Sequence, residues 1–173
     1  MIIDEIGGNI IEFPLFTEEF CSEILELAKD NGRWTTDRHD FYPTTDMLLK
    51  EIEMDEVYNK VINDLVVPLV CWYWKLEGDK WERKDRIDES FIVKYIPEEQ
   101  AHLSLHHDNA TMTCVVKLNN DFKGGGTYFP MYKTLVQPAR IGHAFVHPSS
   151  MTHRHGARPV IEGERYVLVS FIQ

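Results

Sequence analysis

Cysteine is scarce. Cys21, Cys71 and Cys114 are three in 173 residues, too few and too scattered for a disulfide-stapled scaffold. None sits in a CxxC pair, which removes zinc-ribbon and thioredoxin-like readings. An odd count without close pairs fits a reducing compartment, and Cys21 and Cys114 lie in apolar runs that read as buried small hydrophobes. Basic charge is also in deficit: 18 Lys and Arg stand against 28 Asp and Glu, a net charge of −10. Nucleic-acid binders carry a basic stripe, so no nucleic-acid partner is expected. Long hydrophobic runs are missing as well. The longest, Leu65 to Trp74, is interrupted by Pro68 and is too short to span a bilayer. Met1-Ile2-Ile3-Asp4-Glu5-Ile6 has acids where a secretory signal has basic residues. The expectation is a soluble cytoplasmic protein with no membrane partner.

What is present is ordinary for a globular chain: 43% apolar and 27% charged residues. A length of 173 residues suits one domain with a real core. No internal repeat, low-complexity tract or linker divides it. Ile10 to Phe13 reads as a short strand ended by Pro14. Thr17 is an N-cap, with Glu18 and Glu19 in a first helical turn and Asn31-Gly32 as the stop. Arg33 to Pro43 is a loop carrying Trp34, Phe41 and Tyr42, and Thr45 to Ile52 reads as extended. The spacing of Val57, Val61, Ile62 and Leu65 predicts a helix from Asp55 to about Leu65. Lys75 to Ser90 is a charged, solvated excursion.

After Ser90 the pattern turns to β. Phe91 to Ile96, Thr111 to Leu118, Thr127 to Phe129, Thr134 to Gln137, Gly142 to His147 and Tyr166 to Ile172 are strand-like, separated by turn chemistry. Several short strands of this kind predict an antiparallel sandwich or barrel. The expected fold class is α+β, mainly β, with covering helices over about 1–90 and a β-domain over about 91–173.

The chemistry gathers at Leu105-His106-His107-Asp108. His106 and Asp108, two apart, share a face of an extended strand, and His107 turns to the other face. His-x-Asp alone is a weak signal. With a distant third His it becomes two imidazoles and a carboxylate, the facial triad of non-haem Fe(II) oxygenases, which leaves metal positions open. His153 and His155 can both supply that ligand from an extended segment, and the ten-residue step to Arg165 favours His155. Arg165 has the planar fork that clamps a carboxylate. Gly124-Gly125-Gly126 is no phosphate cradle, because no Lys-Ser, Lys-Thr or helix follows. It reads as tight turning before a strand. Two rival classes remain: a zinc or cupin-like site built from the same donors, and a non-catalytic binding module that kept the fold.

These residues sit within a wider pattern that resembles the catalytic domain of procollagen lysyl hydroxylases, in the 2-oxoglutarate and Fe(II)-dependent dioxygenase superfamily. The matching motifs are Phe91-Ile92-Val93-Lys94-Tyr95 with Pro97 and Gln100, then His106-His107-Asp108 and Asp121 to Gly126 with Phe129. His147-Pro148, Thr152 to His155, Pro159, Gly163, Arg165-Tyr166 and Val169-Ser170-Phe171 complete them. Upstream, Phe13 to Phe16 and Pro43 to Asp46 extend the likeness over nearly the whole chain. The resemblance implies a double-stranded β-helix (jelly-roll) in one dioxygenase domain spanning 1–173. It implies His106, Asp108 and His155 as iron ligands, Arg165 as partner of the distal carboxylate of 2-oxoglutarate, and Tyr95 in the cosubstrate pocket. Fe(II), 2-oxoglutarate and O2, with L-ascorbate as reductant, are the implied cofactors. The implied reaction is hydroxylation of a lysyl side chain in a peptide or protein, collagen-like chains among them, with release of succinate and CO2. Action on a different amino acid or protein side chain is the alternative within the superfamily. The family's usual Asn is Val115 here, its Cys is Thr134, and its His-Glu-Gly-Leu-Pro is His155 to Pro159 with Arg158 at the fourth place. The family's C-terminal extension, which contributes to dimerisation, has no counterpart after Gln173, so a monomer or weak dimer is expected.

Overall fold

The computed structural model describes residues 2–39, 41–78, 81 and 85–173. In chain order the elements are β1 (Asp4–Gly7), β2 (Ile10–Pro14), α1 (Glu18–Asn31), β3 (Thr45–Leu48), α2 (Asp55–Val61) and α3 (Val67–Trp74). Then come β4 (Ile87–Tyr95), β5 (Leu103–His106), β6 (Met112–Lys117), β7 (Phe122–Gly124), β8 (Thr127–Phe129) and β9 (Thr134–Val136). The last four are β10 (His143–Pro148), β11 (His155–Ala157), β12 (Val160–Gly163) and β13 (Arg165–Ile172).

A seven-stranded antiparallel sheet runs β1-β2-β10-β6-β13-β4-β3, and a four-stranded sheet runs β5-β11-β8-β9. Strand alternation gives the large sheet two apolar faces. Ile92, Val116 and Leu168 face the helices, in one core with Phe13, Ile24 and Tyr58. Phe91, Val115 and Val167 face the small sheet, in a second core with Phe129 and Phe145. β6 lies between them and is buried at all its positions, the polar Thr113 and Lys117 included. This is a mainly β architecture with helical cover, consistent with the expected jelly-roll. The first ninety residues are more than a helical layer, because β1, β2 and β3 join the large sheet.

α1 follows its sequence signals. Thr17 Oγ1 accepts from the Phe20 N–H at 3.3 Å, and Gly32 closes the helix with φ +60°. Three expectations need correction. Thr45 to Ile52 is extended only to Leu48; Leu49–Ile52 is a 3-10 turn. The second helix buries Ile62 as expected but exposes Val57 and Leu65 by 55% and 49%, and it buries Tyr58, Val66 and Val70 in their place. From Ile62 to Val66 it is a π-helical turn. Its wider turn carries the chain into Pro68, which lacks an N–H and would clash in a regular helix. Ile87 to Ser90 are no excursion, because they open β4 and pair with Ser170 to Ile172. Of the rest of that charged stretch, positions 79, 80 and 82–84 lie outside the described residues.

Candidate active site

β5 and β11 are neighbours in the small sheet, and their register puts His155 directly opposite His106. The two rings lie 4.5 Å apart, centroid to centroid. β5 ends at His106, and Asp108 follows on a turning segment. Asp108 Oδ1 is 3.2 Å from His106 Nε2, and its Oδ2 is 3.6 Å from His155 Nε2. One donor atom from each of the three residues lies within 4.8 Å of the others. His107 was expected to point away, but it also lines the cavity beside them. Strand alternation stops at His106, so period-two logic no longer governs the next residue.

The ring nitrogens are assigned by their partners. His106 Nδ1 lies 2.8 Å from the Ser104 carbonyl, and His155 Nδ1 lies 2.9 Å from the His153 carbonyl. A carbonyl only accepts, so both Nδ1 atoms carry a proton, and each Nε2 turns toward Asp108 as the atom available to a metal. Oriented imidazoles of this kind are the arrangement metal-ligating histidines use. Two neutral imidazoles and a carboxylate, with one open side on a cavity, fit a divalent iron that keeps positions free for other ligands.

Electrostatics act differently on the three groups. Burial would raise the Asp108 carboxyl, but His155, His106 and His147 outweigh it and hold the group well below its ordinary range. Burial would depress His106, yet Asp108 and the Ser104 carbonyl turn the net shift upward. Burial dominates at His155 and lowers it. His153, the other ligand the sequence allowed, is committed elsewhere: its Nε2 is 2.6 Å from the Gly8 carbonyl.

The cavity holds about 330 Å³ and lies between the two sheets, with His106, Asp108 and His155 on one wall. Arg165 and Tyr95 line it from the large sheet, where they face each other across β13 and β4. Arg165 is buried and, among the described residues, pairs with no carboxylate. Gly125 makes room for it, since a Cβ there would lie 2.9 Å from Arg165 Cδ. Val115 also lines the cavity. Arg158 does not; it stacks on Tyr128 with its guanidinium 4.6 Å from the ring centre.

Several cavity features escaped the sequence reading. Arg38, His39, Phe41 and Tyr42 form part of its wall, and Tyr42 leans on His106 at 5.1 Å. Their loop was legible as aromatic, but not as lying over the site. His147 is fully buried beside His155, with ring centroids 4.7 Å apart. Burial first, and then His155, push it down to about 3, so it is neutral. Thr113 was also missed. Its hydroxyl donates to Asp108 Oδ2 at 2.6 Å, a contact that depends on how β6 packs behind the turn.

No family model matches the chain. Human procollagen-lysine,2-oxoglutarate 5-dioxygenase 2 is 32% identical over 183 aligned positions, covering 99% of this chain and 24% of that protein. The procollagen lysyl hydroxylase and glycosyltransferase of Acanthamoeba polyphaga mimivirus is 32% identical, covering 97% of this chain and 20% of that protein. The chain thus spans about a quarter of the length of such relatives. Among solved structures, the viral collagen prolyl hydroxylase of Paramecium bursaria Chlorella virus-1, in its 2OG complex, superposes with a TM-score of 0.66 at 18% identity. The match covers 96% of both chains. A Pseudomonas putida prolyl-4-hydroxylase gives a TM-score of 0.66 at 15% identity, over 95% of this chain and 91% of that one. By sequence nearly the whole chain is similar to a part of the procollagen lysine dioxygenases, and it shares its fold with the prolyl hydroxylase structures.

Proposed function

We propose that this chain is an Fe(II)- and 2-oxoglutarate-dependent hydroxylase acting on a lysyl side chain of a peptide or protein. The balance is one O2 and one 2-oxoglutarate consumed per C–H converted to C–OH, with succinate and CO2 released. One observation carries the reading: three convergent donors, His106, Asp108 and His155, share a cavity with a buried guanidinium that, among the described residues, pairs with no carboxylate.

Iron and cosubstrate, when bound, supply the oxidising chemistry, and the protein supplies position and exclusion of water. His106 and His155 present Nε2, each ring held by a backbone carbonyl at Nδ1. Asp108 contributes the negative charge. Arg165 pairs with the distal carboxylate of 2-oxoglutarate, and Tyr95 steadies its guanidinium. Val93 and Val167, the next inward-facing pair along β4 and β13, keep the wall beside Arg165 apolar, which strengthens the Arg165 pairing by removing competing water. The lysyl substrate rests on homology to procollagen lysine dioxygenases. L-ascorbate is the proposed reductant. Three free cysteines support a reducing, cytoplasmic setting, and the proposed state is a monomer or weak dimer.

The test is mass spectrometry of a lysine-peptide panel, collagen-like sequences included, incubated with Fe(II), ascorbate and 2-oxoglutarate. The expected result is one added oxygen on lysine together with 2-oxoglutarate-dependent succinate. Succinate release with oxygen on another residue would overturn the substrate but keep the class. Failure to bind 2-oxoglutarate, or firm zinc in place of iron, would overturn the class.

A further inference from the structure

Behind Asp108 lies a short chain of buried hydroxyls. Thr113 Oγ1 is 2.6 Å from Asp108 Oδ2, and Ser149 Oγ is 2.6 Å from Thr113 Oγ1. Thr113 and Ser149 are 1% and 0% exposed. The direction of the protons follows from Asp108 alone. An ionised carboxylate can only accept, so the Thr113 hydroxyl donates to it. Its one hydrogen is then spent, so its oxygen accepts from Ser149.

Each hydroxyl is held by backbone pairing independent of the site. Thr113 lies mid-sheet, opposite His147 of β10 and Phe171 of β13. The Ser149 N–H donates to the Thr111 carbonyl at 3.1 Å. Asp108 has no such support, because it follows the end of β5 and lies in no strand. A free carboxylate rotates broadly about its last torsion. A donor fixed on the sheet at Oδ2, which also faces His155 Nε2 at 3.6 Å, removes that freedom and leaves Oδ1, 3.2 Å from His106 Nε2, as the oxygen with no hydroxyl donor on it.

We infer that Thr113, backed by Ser149, is a positioning residue that fixes the Asp108 carboxylate so that Oδ1 is the metal-binding oxygen. This rests on the proposed reading of His106, Asp108 and His155 as metal ligands. Hydrogen bonds onto first ligands set metal affinity by roughly 10- to 100-fold in characterised sites, and Thr113 occupies that place here.

The experiment uses the full chain and Mn(II) alone, with free Mn(II) read by electron paramagnetic resonance, so no turnover is needed. Wild type is expected to bind one Mn(II), and Asp108→Ala to lose it. Thr113→Val, similar in shape without the hydroxyl, is expected to weaken Kd by about 10-fold. Thr113→Ser is expected to restore it, and Ser149→Ala to weaken it by about three-fold. Thr113→Val strands the Ser149 hydroxyl and can cost stability. The double variant Thr113→Val/Ser149→Ala removes both groups, and it is expected to recover melting temperature but not Mn(II) affinity. Folded Thr113→Val, alone or in the double variant, with wild-type Mn(II) affinity would overturn the inference while the ligand reading stands. Wild type that binds no Mn(II) would overturn both.

Discussion

Arg165 and Tyr95 face each other across β13 and β4, with the guanidinium 5.1 Å from the ring centre. Burial raises the tyrosine hydroxyl and lowers the arginine, and each opposes the shift of the other. A buried cation that, among the described residues, pairs with no carboxylate is suited to receive an anionic ligand. Arg165→Met should therefore raise the Kd for 2-oxoglutarate by roughly 10- to 100-fold, the loss of a charge-assisted pair worth about 1.5–3 kcal/mol. Tyr95→Phe should raise it by roughly 3- to 10-fold, because the phenol acts only through the guanidinium it steadies. Isothermal titration with Mn(II) in place of iron measures both, and equal effects of the two variants would remove the division of roles.

His153 and His155 offer a sharper comparison, because both were eligible from spacing. His155→Ala should abolish Mn(II) binding and 2-oxoglutarate-dependent succinate. His153→Ala should keep both but lower stability by about 1 kcal/mol, since it breaks the contact to the Gly8 carbonyl. Metal binding lost in His153→Ala with a normal unfolding curve would reverse the assignment.

Gly125 is a steric test of the Arg165 pocket. Its φ is +72°, and an added Cβ would meet Arg165 Cδ at 2.9 Å. Gly125→Ala should lose about 1–2 kcal/mol from left-handed backbone strain and should also raise the KM for 2-oxoglutarate. Gly7→Ala is the control: φ is +114° and nothing lies within 4 Å of the added carbon. That variant should show the strain without the KM change.

Alkaline stability should carry a thiol signature. Burial pushes Cys114 from 9.0 up to about 12. The folded group holds its proton where the unfolded one has released it. Its contribution is thus complete below pH 9 and is lost as pH rises toward 12. At pH 10 the loss is roughly 1 kcal/mol. Urea unfolding at pH 7.5 and 10 should show a smaller fall for Cys114→Ala than for wild type, and equal falls would exclude the thiol as the cause.

Local signals carried far where one short segment settles the outcome. Thr17 and Gly32 bound α1 because cap chemistry needs only neighbouring atoms. The run at Phe91 reads as a strand, but its first four residues, Ile87 to Ser90, were hidden among charges. What makes them strand is pairing with Ser170 to Ile172, some eighty residues away. The stripe on the second helix failed for a related reason. Periodicity assumes a uniform turn, and beyond Ile62 the π-helical turn before Pro68 changes the count, with Val66 buried and Leu65 exposed.

By itself the amino-acid sequence determined the chemistry available to this protein: two imidazoles and a carboxylate in an iron-ligand pattern, an arginine downstream, and a β-rich half to hold them. Those are matters of residue type and spacing. Tertiary structure alone decided which donors converge. Antiparallel pairing of β5 with β11 sets His155 opposite His106, while the contact with Gly8 takes His153 out of reach. It also placed Thr113 behind Asp108 and Gly125 against Arg165. Sheet register and the packing of two faces are non-local, so no window of the chain contains them.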